Sequence, residues 1–364
     1  MSSASPGGEP RRFDAPVLTI AIPTYNRSRY VRRLLASIVA QLAAHRDAVK
    51  VLVIDNCSPD DTQAAVAPFL RKGLPLAYVR NETNIGMDGN IRKCFMDADT
   101  EYVWIFGDDD VLLEGALGQV LAWIGAQRFA LIHVGGYSFR GDFAPRRKYF
   151  LNLGPTRVTD RGDVLYCVNC LLTFISRNIV NKRAAQEMAP GSSFDAYLGS
   201  IINQLSFVFA ALRSDLPCVI LSRSLVGAQI ENSGGYEPAE VFGRGMLAIV
   251  EREFPGEARL RQRFENEILE IHFPHQIASM RRSARFTTEG YLGKLRETFA
   301  HNFRFWLFCY PVAVLPLALA KPASLVVRAI LKVKRIAAEI TWYCVLPRHA
   351  QRSRFSALLF GSRP

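Results

Sequence analysis

The sequence predicts an α/β protein: a mostly parallel sheet flanked by helices, followed by a helical, basic C-terminal extension. Three observations predict it. Short β-branched runs alternate with amphipathic stretches through the first 120 residues. Conspicuous polar residues stand where each apolar run ends. The excess positive charge is confined to the last quarter of the chain.

Residues 17–22 (VLTIAI) form a β-branched run stopped by Pro23, the pattern of a buried strand. A helix over about 30–44 sets Leu34, Leu35, Ile38, Val39 and Leu42 on one face. Residues 49–54 (VKVLVI) are a second strand, running into Asp55 and the polar turn NCSPDDT. A helix over 62–70, a strand over 76–79, a helix over 85–97 and a strand over 102–106 (YVWIF) follow. Such alternation makes a parallel sheet that binds ligands at the carboxyl ends of its strands.

The polar residues lie at those ends. They are Thr24, Tyr25 and Asn26 after the first strand, Asp55 after the second, and Asn84 and Gly86 after the third. Asp108, Asp109 and Asp110 follow the fourth, in the run YVWIFGDDDVL. Three adjacent carboxylates repel unless something positive compensates them, and hard oxygens suit Mg²⁺ or Mn²⁺. The competing reading is an acidic turn that caps the following helix, LLEGALGQVLAWI. Capping accounts well for Asp61 or Thr62, less well for Asp55, which abuts its strand. Neither GxGxxG after the first strand nor GxxxxGK(S/T) anywhere is present. That argues against a dinucleotide dehydrogenase and a P-loop ATPase. A carboxylate-held cation would instead neutralise a nucleotide's diphosphate, which favours a nucleotide-sugar transferase.

Four segments, TIAIPTYNR (19–27), VLVIDNCSPDDT (51–62), RNETNIGMDGNIRKCF (80–95) and YVWIFGDDDVLLEGAL (102–117), resemble family 2 glycosyltransferases of the GT-A fold in order and spacing. The GDDD form is most similar to the abequosyltransferase-like branch, which adds sugars to bacterial surface polysaccharides. The resemblance implies that Pro23, Tyr25 and Asn26 border the nucleotide base. It implies that Asp55 accepts a hydrogen bond from the base, and that Asn84 and Gly86 shape the loop beside it. The acidic cluster corresponds to the DxD motif. An ungapped match to the commoner LDSDD pattern puts Gly107 at the first acid. This points to Asp109 as main metal ligand, with Asp108 and Asp110 as ribose contact or second ligand. The implied cofactor is Mn²⁺ or Mg²⁺, and the implied donor a nucleotide diphosphate sugar.

An inverting transferase needs a carboxylate to take the acceptor's proton. Asp195, in GSSFDAYLGSIINQLSF, is the first candidate, with a helix-start cap as the alternative. Glu231, in IENSGGY, is the second; there Gly234 and Gly235 would also permit a lid. Asp142, Asp160 and Asp163 read as loop or cap residues, and His133 as a core histidine. His272 and His275 have ligand spacing, but Pro274 between them and the missing third ligand weigh against metal.

The seven cysteines are odd in number and irregularly spaced, against a disulfide framework. Cys167 and Cys170 form a lone CxxC without the second pair that structural zinc needs. Residues 271–364 carry 15 Lys and Arg against 3 Asp and Glu, matching the whole-chain surplus of +12. Their partner must be anionic. Residues 305–320 are uncharged but interrupted by Pro311 and Pro316, too short and broken for a spanning helix of about 20 residues. After them, Val326, Ile330, Val333, Ala337 and Ile340 make an apolar stripe, with Arg328, Lys332 and Arg335 on another face. That pattern suits a helix lying on an anionic membrane better than a nucleic-acid groove. Packing on the catalytic domain or on a second copy of the chain is the alternative.

The expected organisation is a leader over 1–15, a catalytic domain over 16–235, a helical extension over 236–302 and a membrane-associating tail over 303–364. The acceptor would be a lipid-linked or surface glycan, and the location the inner face of the cell membrane. A non-catalytic scaffold of the same shape is the competing class; the intact acidic cluster and Asp55 argue against it. A nucleotidyltransferase is disfavoured by the absence of a glycine-rich activating loop near the N-terminus.

Overall fold

The computed structural model describes residues 13–143, 156–230, 239–281, 290–316 and 318–319. The chain divides into two compact units, the first over Ala4–Tyr236 and the second from Glu237 onward.

In the first unit, β1 (Leu18–Thr24), β2 (Val49–Asp55), β3 (Leu76–Arg80) and β4 (Tyr102–Ile105) run parallel in the order β3-β2-β1-β4. Helices α1 (Ser28–Leu42), α2 (Thr62–Leu70) and α3 (Gly86–Asp97) connect them, and α4 (Ala116–Ala126) follows the acidic turn. The driving pattern is simple. On α1, Val31, Leu34, Leu35, Ile38, Val39 and Leu42 are buried at helical spacing, and all of them but Val39 join β1, β2 and Trp104 in one core. Asp60, rather than Asp61, makes the cap of α2, its Oδ1 accepting from the Thr62 amide at 3.1 Å.

The sheet is not mostly parallel. It continues through β5 (Val111–Leu112), β6 (Leu131–Phe139), β7 (Arg157–Thr159), β8 (Asn178–Asn181) and β9 (Cys218–Gln229) in the overall order β3-β2-β1-β4-β8-β6-β9-β5, with β7 on β9. The pairings β4–β8, β6–β8, β5–β9 and β7–β9 are antiparallel. Three of these strands have four residues or fewer, too short to carry a readable alternation. Against β6, β9 shifts register at Gly135 and Gly136. A Cβ on Gly135 would lie 2.5 Å from the Arg223 carbonyl oxygen, so the bend requires glycine.

Helices α5 (Arg161–Cys167), α6 (Lys182–Met188) and α7 (Leu205–Leu212) complete the unit. Asp160 caps α5 through the Asp163 amide. Buried Lys182 donates to the carbonyls of Met96 and Ala98, neutralising the C-terminal end of α3. His133 is a core residue, its Nδ1 2.8 Å from Asn178 Oδ1, and burial holds it well below the usual histidine range. Cys170 is buried and Cys167 half-buried, neither in a disulfide, and the Cys167 thiol donates to Asp163 Oδ1 at 3.2 Å.

The second unit is helical: α8 (Met246–Glu253), α9 (Ala258–Glu267), α10 (Phe273–Met280), α11 (Tyr291–Phe299) and α12 (Tyr310–Val314). Phe264, Phe273, Phe299, Phe305 and Phe308 are its largest buried side chains. No helix among the described residues is long and apolar enough to cross a membrane. Residues 320–364, with the amphipathic stripe, and Glu231 with Gly234 and Gly235 lie outside the described residues.

Candidate functional site

The register of the parallel strands assembles the site. Thr24 pairs with Asp55, so β1 and β2 end level. Ala21 pairs with Ile105, and the Phe106 amide donates to Ala21, which carries the chain on until Asp108 stands beside Thr24. Thr24 Oγ1 donates to Asp108 Oδ2 at 2.8 Å, both residues being buried. Arg27 Nη1 lies 3.2 Å from Asp108 Oδ1 and 3.0 Å from Asp109 Oδ2. Burial first, and then the charge of Asp109, push the Asp108 carboxyl up to about 7, against the opposing pull of Arg27 and Thr24.

The three carboxylates do different work. Asp110 is turned inward: its Oδ2 accepts from Ser176 Oγ at 2.5 Å and its Oδ1 from the Gln229 amide at 2.9 Å. It braces the turn against two distant segments, and burial raises its carboxyl well above the ordinary range. A Cβ at Gly107 would fit tightly here, 3.2 Å from Asp110 Oδ2 and 3.3 Å from Ser176 Oγ. Asp109 is half-buried, and its carbonyl accepts from Arg33 Nη2 at 2.5 Å. Asp108 and Asp109 thus stand together against Arg27, with Asp110 turned inward behind them.

Asp55 is fully buried. Its Oδ1 accepts from the Ser58 amide at 3.0 Å and from the Ser58 hydroxyl, and its Oδ2 from the Tyr78 hydroxyl at 2.6 Å. Arg80 Nε stands 3.5 Å from the same carboxylate. Asp55 thus ties the ends of β2 and β3 together, and a base could reach it only alongside these partners. Tyr25 and Asn26 are exposed next to half-buried Pro23. Asn26 takes the left-handed φ of 55°, which asparagine tolerates, and its amide donates to Ser58 Oγ at 2.8 Å. Asn84 Oδ1 accepts from Asn56 Nδ2 at 2.7 Å and from the Gly86 amide at 2.9 Å. Asn56 Oδ1 holds Asn81 and the Ile85 amide, and Asn81 reaches Asn90. Gly86, at φ 79°, opens α3 out of this loop.

Asp195 ends a short 3₁₀ turn and pairs with Arg92 of α3, Nη2 to Oδ2 being 3.2 Å. Asp88, also on α3, accepts from the amides of Gly199 and Ile201 at 2.8 and 2.9 Å. The loop following Asp195 is thereby clamped to the first turn of α3. Among the described residues no group of three or more His, Cys, Asp and Glu side chains is placed to hold a metal by itself. Two adjacent carboxylates, one of them buried, do fit a hard cation that takes its remaining ligands from phosphate oxygens.

Residues 19–182 match the family model for glycosyl transferase family 2. The chain carries a family 2 glycosyltransferase domain. Over 112 residues the chain is 33% identical to the abequosyltransferase RfbV of Salmonella typhimurium, covering 30% of this chain and 33% of that protein. Over 107 residues it is 31% identical to a GalNAc(5)-diNAcBac-PP-undecaprenol beta-1,3-glucosyltransferase of Campylobacter jejuni, covering 29% and 34%. The chain thus spans about a third of the length of these curated relatives. The structure of residues 1–349 of TarS from Staphylococcus aureus, in complex with UDP-GlcNAc, superposes with a TM-score of 0.56 at 17% identity. That superposition covers 85% of this chain and 88% of that one, and it shows a shared GT-A fold.

Proposed function

We propose that the family 2 domain moves a sugar from a nucleoside diphosphate sugar to a lipid-linked or surface-polysaccharide acceptor, with metal assistance and inversion at the anomeric carbon. The observation that carries this reading is Asp108 locked by Thr24 beside Asp109, where three parallel strands end. Asp108 and Asp109 would hold Mg²⁺ or Mn²⁺. A bound cation supplies neutralisation of the departing diphosphate. Pro23, Tyr25 and Asn26 on one side and the Asn84–Gly86 loop on the other would flank the base. UDP-GlcNAc bound to TarS and the acceptors named for the relatives support the substrate class.

In the transfer, the acceptor oxygen attacks the anomeric carbon while the bond to the diphosphate oxygen breaks. The acceptor's proton passes to a carboxylate, for which Asp195 is the candidate. We place the chain at an anionic membrane surface through residues 303–364. The basic surplus of the last 94 residues supports this, as do the exposed Phe303, Trp306 and Leu307. The full chain should sediment with anionic vesicles and lose that property on deletion of 320–364, which leaves the buried Phe305 and Phe308 in place; unchanged sedimentation would sink the tail's role. The activity itself is tested by incubating the chain with nucleoside diphosphate sugars, Mn²⁺ and polyprenyl-linked glycan acceptors. Release of the nucleoside diphosphate that depends on acceptor is expected. No release from any donor would count against a transferase.

A further inference from the structure

We propose that Arg27 is a built-in counter-cation of this site: it holds the position between Asp108 and Asp109 until a divalent cation arrives with the nucleoside diphosphate, and is then released toward the diphosphate. The inference rests on the metal-assisted reading above and assigns a role to a residue outside the acidic motif.

One nitrogen, Nη1, faces both carboxylates, at 3.2 Å from Asp108 and 3.0 Å from Asp109. The guanidinium charge stands between the two carboxylates, which is the place a hard cation would take. The groups around Arg27 are anchored by other partners, and Arg27 itself lies against the Tyr30 ring. Asp108 is held by Thr24, and Asp110 by Ser176 and the Gln229 amide. The neighbouring cation, Arg33, donates to Asp109 O and Gln229 Oε1 and lies against the rings of Tyr30 and Phe139. Arg27 keeps 34% of its side chain exposed.

Two carboxylates are too few ligands for Mg²⁺ or Mn²⁺, which complete their shells with phosphate oxygens or water. A cation arriving alone must also displace Arg27 and leave a guanidinium without its partners. Arriving with a diphosphate, it gains ligands, and the displaced guanidinium gains an anion. Cation and nucleotide therefore bind cooperatively, each raising the other's affinity by the same factor. Arg27 provides part of that coupling.

The test is titration of the full chain with Mn²⁺ alone, and again with saturating UDP or GDP, for wild type, Arg27→Met and Arg27→Lys. Bound Mn²⁺ is read from its electron paramagnetic resonance signal. Arg27→Met should bind Mn²⁺ alone about tenfold tighter than wild type and show correspondingly weaker coupling to the diphosphate. Arg27→Lys, which keeps a point charge, should stay near wild type. Thermal melts confirm folding, and Arg27→Gln replaces the methionine variant if that one melts early. Equal or weaker Mn²⁺ binding by the uncharged variant would overturn the placeholder role while leaving the metal reading intact. Absence of Mn²⁺ binding in every variant, with or without diphosphate, would overturn both.

Discussion

Asp109→Asn should lower sugar transfer by about 10³-fold or more, since the lost cation would supply several kcal/mol at the departing diphosphate. The substitution keeps the side chain's shape and removes its charge. Asp109 is the least buried of the three acids, and its carboxylate contacts the half-buried Arg27. Folding stability should therefore change by less than about 1 kcal/mol, the scale of exposed ion pairs. Asp110→Asn provides the contrast. It disturbs a carboxylate that joins Ser176 to the Gln229 amide inside the fold, so its melting temperature should fall with its activity. Turnover by Asp109→Asn close to wild type would remove Asp109 from the metal site.

Asp195→Asn should reduce turnover by about 10²–10⁴-fold, the usual contribution of a positioned general base. Affinity for the nucleoside diphosphate should persist, because Asp195 pairs with Arg92 rather than with the acidic turn. The Arg92–Asp195 pair has side-chain exposures of 31% and 41%, so breaking it should cost no more than about 1 kcal/mol of stability. A large rate loss with a small stability loss thus separates chemistry from scaffolding. Arg92→Ala is the companion measurement: it breaks the same pair but keeps the carboxylate, and should retain more activity than Asp195→Asn. Near-wild-type turnover by Asp195→Asn would leave the carboxylate only its pairing with Arg92.

The parallel half of the sheet was legible because β-branched runs and a strongly amphipathic α1 announce themselves locally. The strand-end residues were legible for the same reason, since each abuts a readable strand. What holds them in place was not. Ser176 and Gln229 reach the acidic turn from segments whose strands are too short or too bent to read. Arg27 stands inside the segment TIAIPTYNR, yet only the register that carries the chain past Ile105 to Asp108 shows which charges it meets. The asparagines at 56, 81 and 90 look like ordinary loop residues until their mutual hydrogen bonds are seen. Asp55 illustrates the same limit. Its position at a strand end suggested a ligand contact, whereas its partners Ser58, Tyr78 and Arg80 show a carboxylate that also organises the loop.

The acidic turn and the neighbouring strand ends are held to be one cation-assisted site for a nucleoside diphosphate. Calorimetric titration of the full chain with UDP, GDP, ADP and dTDP, in Mn²⁺ and then in EDTA, tests that claim most directly. At least one diphosphate should bind in Mn²⁺ and lose most of its affinity in EDTA, and Asp109→Asn should bind equally weakly in both. Binding of equal strength with and without the cation, unaffected by Asp109→Asn, would contradict it.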